Sequence, residues 1–488
     1  MQCPERVDNW IDGAPRSAAG GATLPVVEPA TGRVISRLAA SGAADVDAAQ
    51  AAAACAFPAW SAIGAPARAE RLERLAQLVE RDLERLAGLE SADSGKPLAL
   101  ARSVDIPRAA ANLRFFADAV RAWRPDEDLR APHAVSRVIR RPSGVAGCIS
   151  PWNLPLYLFT WKVAPALAAG CTVVGKPSEE TPLTAAAFAE LSAEAGFPPG
   201  VLNVVQGRGA ECGAAIVAHP GIPTISFTGG TETGARIMSV AGPMFKSVAL
   251  ELGGKNPTIV LDDCDLDAAV AGAVRAAFQN QGQICLCGSR VLVARDLYPR
   301  FRDAFVERAR ALRIGDPLDP ATEQGSLVSE AHRAKVSAAV ERARAEGGRV
   351  LCGGRAPDPA SLPERVRGGA YYLPTVVEGL PMACATNQEE IFGPVATIQP
   401  FDGDEDAVRL ANESAFGLAA SVWTGDHARG MRVAERLECG IVWINAWLLR
   451  DLRVPFGGMK RSGLGREGGD EALKFFTEAR NVCVATGG

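Results

Sequence analysis

From residue 144 onward the chain alternates short, wholly apolar runs with helical segments, and this alternation narrows the possible folds more than any other feature. Val173-Val174, Val201 to Val205, Ile225 to Phe227 and Ser247 to Leu250 read as buried strands. The segments after Thr181, Ala210 and Thr231 read as the helices between them. A strand that is apolar on both sides must be covered on both faces, and strands joined by helices run parallel. The expected class is therefore α/β. Upstream, Leu72, Leu75, Leu78, Val79, Leu83 and Leu86 recur at helical spacing, which predicts one amphipathic helix over residues 68–89. Residues 130–141 alternate like a strand between Pro132 and Pro142 and look like an excursion from the first domain.

A length of 488 residues is too great for one ordinary core and implies two or three domains. Apolar residues make up 48% and charged ones 22%, which describes a globular chain. The net charge is −4 with no basic run, so no nucleic-acid partner is expected. Ala49 to Phe57 is the longest small-apolar stretch and is too short to span a bilayer, so no membrane partner is expected either. Met1 to Gly13 carries Glu5, Asp8 and Asp12 with no continuous apolar run; the expectation is a cytoplasmic protein. Twelve scattered cysteines without a Cys-x-x-Cys suggest reduced thiols, and four isolated histidines suggest no metal site.

Three separated motifs carry chemistry. Asn280-Gln281-Gly282-Gln283-Ile284-Cys285 sets a thiol after a glycine-containing loop. Glu251 stands in Leu-Glu-Leu-Gly-Gly-Lys, and Asn153 in Pro151-Trp152-Asn153-Leu154-Pro155. Oxidation of a carbonyl through a thiol needs a soft nucleophile, a base that later activates water, and a donor for the oxyanion. Phe227-Thr228-Gly229-Gly230-Thr231-Glu232-Thr233-Gly234 follows a strand and opens a helix. Glycines there permit close backbone approach, and the helix N-terminus offers free N–H groups to a pyrophosphate, although a tight turn explains the glycines equally well.

Taken in order, these motifs resemble the aldehyde dehydrogenase superfamily from Asp8-Asn9-Trp10 to Phe456-Gly457-Gly458-Met459-Lys460 and on to the C-terminus. The resemblance implies a Rossmann-like dinucleotide-binding domain (1–122 and 143–252) and an α/β catalytic domain (253–453). It also implies a small β oligomerisation arm (123–142 and 468–488), with a homo-oligomer, dimer or tetramer, as the assembly. It implies Cys285 as nucleophile, Glu251 as deacylating base, and Asn153 with the Cys285 backbone N–H as oxyanion donors. The cofactor it implies is NAD, held by Ile149, Ser150, Pro151, Trp152, Lys176, Ser178, Glu179, Gly209, Phe227, Gly229, Gly230, Thr231, Leu252, Glu390 and Phe392. A carboxylate at Glu179 should repel a 2′-phosphate, favouring NAD over NADP. Glu251 also favours hydrolysis to the free acid over transfer to coenzyme A.

Substrate choice rests on two arginines. Arg450, in Trp447-Leu448-Leu449-Arg450-Asp451, and Arg108, in Asp105-Ile106-Pro107-Arg108, could form a fork for a carboxylate. The alternative is that both arginines form surface ion pairs, Arg450 with Asp451 or another acid. Arginines at both places resemble the dehydrogenases of 2-aminomuconic or 2-hydroxymuconic semialdehyde, enzymes of aromatic catabolism such as the kynurenine pathway. Leu154, Leu158, Trp161 and Trp447 would supply the apolar lining. The rival substrates are simple aliphatic, aromatic or betaine-type aldehydes, and arginines count against the cationic one. A non-catalytic protein of the same fold would be expected to lack Cys285 or Glu251.

Overall fold

The computed structural model describes residues 3–486, so residues 1, 2, 487 and 488 of the first and last expected segments lie outside the described residues. Two large sheets organise the chain. The first has eight strands. Its centre is the parallel run Ser247–Glu251, Thr224–Thr228, Val145–Ile149, Thr172–Lys176 and Leu202–Val204. Three of the four apolar strand runs read from the sequence lie within one of these strands, and the run Val201 to Val205 exceeds Leu202–Val204 by one residue at each end. Every residue of Thr224–Thr228, Val145–Ile149 and Thr172–Lys176 is buried, as strands covered on both faces require.

The intervening helices Leu183–Glu194, Ala214–Ala218 and Thr231–Ala241 fall where the sequence places them, the second entered through an irregular turn at Gly209–Gly213. Pro155–Ala169 begins on a proline, whose missing N–H costs nothing at a first turn, and ends at Gly170 with φ +100°. A second sheet of seven strands starts with Pro257–Val260 and includes Arg290–Ala294, just after Cys285. The two strands Gly463–Leu464 and Ser247–Glu251 pair antiparallel, so the chain returns to the first sheet after finishing the second.

The single helix expected over 68–89 is two helices. Ala65–Arg81 and Leu83–Ser94 meet at Asp82, where φ −93° and ψ 16° leave helical geometry. Apolar spacing runs across the break because both helices bury a leucine face. Leu72, Leu75 and Leu78 are buried where the first packs on Ile106–Ala122. Truncating Leu75 to alanine there should cost about 2–5 kcal/mol.

Glu127–Ala131 and Ala134–Pro142 form a hairpin, and Thr477–Ala485 adds antiparallel to its second strand over nine register pairs, Thr477 opposite Pro142 through Ala485 opposite Ala134. Of the segment 468–488, Gly469–Phe475 is instead a helix against Pro155–Ala169 and Ile106–Ala122.

Candidate active site

Strand register assembles the site. Thr228 lies opposite Glu251, Phe227 opposite Ile149, and Ile149 opposite Lys176, so neighbouring parallel strands end side by side. Carboxyl ends of parallel strands, facing helix N-termini, are where such sheets bind ligands.

The Cys285 loop is held by backbone geometry and three asparagines. Asn280, Gln281 and Gly282 are all left-handed, with φ +53°, +55° and +69°. Gly282 is required there, because a Cβ would strike the Gly393 carbonyl oxygen at 2.2 Å. Asn256 Nδ2 donates to the carbonyls of Cys285 at 2.7 Å and Cys287 at 2.9 Å. Asn153 Nδ2 donates to Gln283 O at 2.9 Å, and Asn280 Nδ2 to Asn153 O at 3.1 Å. Consecutive left-handed non-glycine residues store strain that only such a clamp sustains.

Two cavities meet at Cys285 and Thr228. One, of about 630 Å³, is lined by Glu251 and by all six expected substrate residues, Arg108, Leu154, Leu158, Trp161, Trp447 and Arg450. The other, of about 550 Å³, is lined by Pro151, Trp152, Asn153, Gly229, Gly230, Leu252, Glu390 and Phe392. A Cβ on Gly230 would meet nothing within 4 Å, leaving the helix N-terminus open to the cavity. Gly234 serves packing: its Cβ would strike Leu252 at 2.7 Å, so glycine lets the helix close on that side chain. Lys176, Glu179 and Gly209 form a separate cluster. Lys176 Nζ donates to Glu179 Oε2 at 3.1 Å, and the Gly209 N–H to Glu179 Oε1 at 3.0 Å. Ser150 N–H donates to the Lys176 carbonyl at 3.0 Å, and Ser178 Oγ accepts from Glu180 N–H at 3.2 Å. Ile149, Phe227 and Thr231 flank the second cavity at the strand ends and helix start without lining it.

Burial dominates the electrostatics. Burial, then Glu390 and Glu251, raise the Cys285 thiol, and Arg450 opposes them. Burial and Glu467 push Glu251 well above the ordinary carboxylate range, against Lys162, Arg450 and Arg466. Burial raises Glu390 to about 7, opposed by the Gly254 N–H and Lys255. Cys287 is buried and its thiol is raised to about 12, as suits a packing residue. Burial works against the Glu179 charge too, but Lys176 and the Gly209 N–H outweigh it and hold the carboxyl below its usual value.

Arg450 is not the partner of Asp451. Arg453 takes that role at 2.6 Å, while the Arg450 guanidinium lies 3.9 Å from the Phe456 ring centroid and 5.1 Å from that of Trp161. Aromatic faces hold a guanidinium by cation–π attraction and leave its N–H edge for another acceptor.

Residues 16–482 match the aldehyde dehydrogenase family. The chain belongs to that family. Over 458 residues, 94% of each chain, it is 48% identical to 2-aminomuconic semialdehyde dehydrogenase of Danio rerio. It is 46% identical to 2-hydroxymuconic semialdehyde dehydrogenase of Pseudomonas sp. (strain CF600) over 98% of this chain and 99% of that one. PnpE from Pseudomonas sp. WBC-3, solved with nicotinamide adenine dinucleotide, superposes with a TM-score of 0.95 at 43% identity, covering 99% of this chain and 98% of that one. The architecture is accordingly the aldehyde dehydrogenase fold.

Some residues of this aldehyde dehydrogenase site carry no local sequence signal. Glu467 reaches Glu251 through the returning strand Gly463–Leu464, and Lys162 Nζ pairs with it at 2.8 Å. His332 lines the second cavity, bonds the Phe392 carbonyl through Nε2 at 2.7 Å and sits 5.1 Å from the Trp152 ring. Arg275 lines the first cavity and looks in the sequence like any basic residue in a helix's last turn.

Proposed function

We propose that this aldehyde dehydrogenase oxidises a carboxylate-bearing semialdehyde, 2-aminomuconic or 2-hydroxymuconic 6-semialdehyde, to the dicarboxylate with NAD. The observation that carries the reading is Arg450, seated on Phe456 and Trp161 in the cavity that also holds Cys285 and Glu251, with no carboxylate among the described residues within salt-bridge distance. A guanidinium so placed is a preformed seat for a substrate carboxylate. The names of the relatives above agree with this substrate. A cationic betaine-type aldehyde would be repelled by the same charge.

The cavity lined by Trp152, Gly230, Glu390 and Phe392, with the Lys176–Glu179 cluster at neighbouring strand ends, fits a dinucleotide. NAD bound there would accept hydride from the substrate carbon. The protein's residues do the rest. Cys285, once deprotonated, bonds through Sγ to the aldehyde carbon, and the oxygen takes up negative charge. The second N–H of Asn153, free of Gln283, and the backbone N–H of Cys285 stabilise that oxyanion. After oxidation the acyl group remains as a thioester. Glu251 then takes a proton from water, the water oxygen bonds to the acyl carbon, and the carbon–sulfur bond breaks to return Cys285.

The three-stranded sheet ends in Thr477–Ala485, whose Val482 and Val484 are exposed. A long exposed edge strand of this kind supports a homo-oligomer.

The test compares 6-oxohexanoate with hexanal, an acid and a neutral aldehyde of equal length, on Arg450→Ala and Arg108→Ala. Each loses a charge-assisted contact of about 1.5–3 kcal/mol. kcat/KM for the acid should fall roughly 10- to 100-fold, with hexanal little changed. Equal losses on both substrates would reject the carboxylate reading.

A further inference from the structure

Three arginines, not two, line the cavity in front of Cys285: Arg108, Arg275 and Arg450. Arg275 lies in the last turn of Leu266–Phe278, one turn after Ala271 and Gly272. Its Nη2 donates to the Trp447 carbonyl at 3.0 Å, and its guanidinium carbon lies 6.0 Å from the Trp447 ring centroid. One carbonyl occupies one of five N–H donors.

The acids of the same cavity are engaged elsewhere. Asp105 pairs with Lys96 at 2.7 Å and Glu467 with Lys162 at 2.8 Å, while the charges that act on buried Glu251 are Lys162, Arg450 and Arg466, not Arg275. Among the described residues no carboxylate pairs with Arg275. A helix's last turn favours a cation, and a bond to a loop carbonyl steadies that loop. Neither role needs two further guanidinium groups around the same cavity, where like charges oppose one another. An anion among them relieves that opposition.

We propose that Arg275 is a third specificity residue, donating to the anionic group of the substrate at the outer end of the cavity. The inference rests on the carboxylate-bearing substrate proposed above. Arg275 is exposed, whereas Arg108 and Arg450 are partly buried, which places it outermost. Its anchored guanidinium holds the outer side of the anionic group while the other two face it from within the cavity. Water and salt screen an exposed cation, so its contribution is smaller than that of Arg450 and depends more on ionic strength.

Arg275→Gln and Arg275→Lys in the full chain test this with the same substrate pair at several salt concentrations. With 6-oxohexanoate, Arg275→Gln should raise KM about threefold to tenfold at low salt and flatten the salt dependence of kcat/KM. The hexanal constants should move less than twofold, and Arg275→Lys should recover part of the loss and of the salt slope. Equal losses for both aldehydes would make Arg275 a support for the Trp447 loop and overturn the proposal. No loss for the acid in Arg275→Gln, with the loss intact in Arg450→Ala, would overturn it while leaving the carboxylate reading standing. If Arg450→Ala and Arg108→Ala also spare the acid, the carboxylate reading itself fails and this inference with it.

Discussion

The side-chain amide of Asn153 donates to the carbonyl oxygen of Gln283 at 2.9 Å, two residues before Cys285. In the proposed mechanism one amide has two duties: it ties the strand-end loop to the Cys285 loop, and it keeps a second N–H for the developing oxyanion. Asn153→Ala should lower kcat roughly 100- to 1,000-fold, the usual cost of one oxyanion donor. The burst of NADH should slow by a similar factor while NAD affinity is retained. A burst of normal rate would exclude Asn153 from the acylation step.

As the proposed deacylating base, Glu251 would give the reaction a pH dependence with a definite sign. Burial and Glu467 hold its pKa above the ordinary carboxylate range, and the base works only when deprotonated. Deacylation should therefore go on speeding up with pH above the range in which an unperturbed carboxylate would already give a plateau. Glu251→Gln should abolish this limb and let an acyl-enzyme build up, visible in the intact-protein mass. A limb that survives the substitution belongs to another group.

The layers of the fold were readable because parallel strands buried on both faces must be apolar throughout, as Thr224–Thr228 is. The meeting of Cys285 with Asn153 and Glu251 could be drawn only from family resemblance, since strand register and the left-handed turn at Asn280 create it. Two kinds of feature stayed hidden. The helix break at Asp82 leaves no mark, because Leu78 and Leu86 face the same core on either side of it. Glu467 and Arg275 join the site through tertiary packing, and each looks locally like an ordinary charged residue.

The proposed preference for NAD over NADP turns on Glu179. Its carboxylate is held ionised by Lys176 and the Gly209 N–H, so a fixed negative charge stands at the strand end where the adenosine ribose is expected. A 2′-phosphate there would meet a like charge in a partly desolvated site, and kcat/KM should favour NAD over NADP. Glu179→Gln separates this from simple misfit. The amide oxygen can still accept the Gly209 N–H, while Lys176 loses its acidic partner and becomes available to a phosphate. Removing one unfavourable charge contact of about 1.4 kcal/mol corresponds to roughly tenfold, so NADP efficiency should rise by about that factor while NAD efficiency falls. The measurement is kcat/KM for both cofactors in the wild type and the variant. Equal use of NAD and NADP by the wild type would place the Glu179 carboxylate away from the ribose.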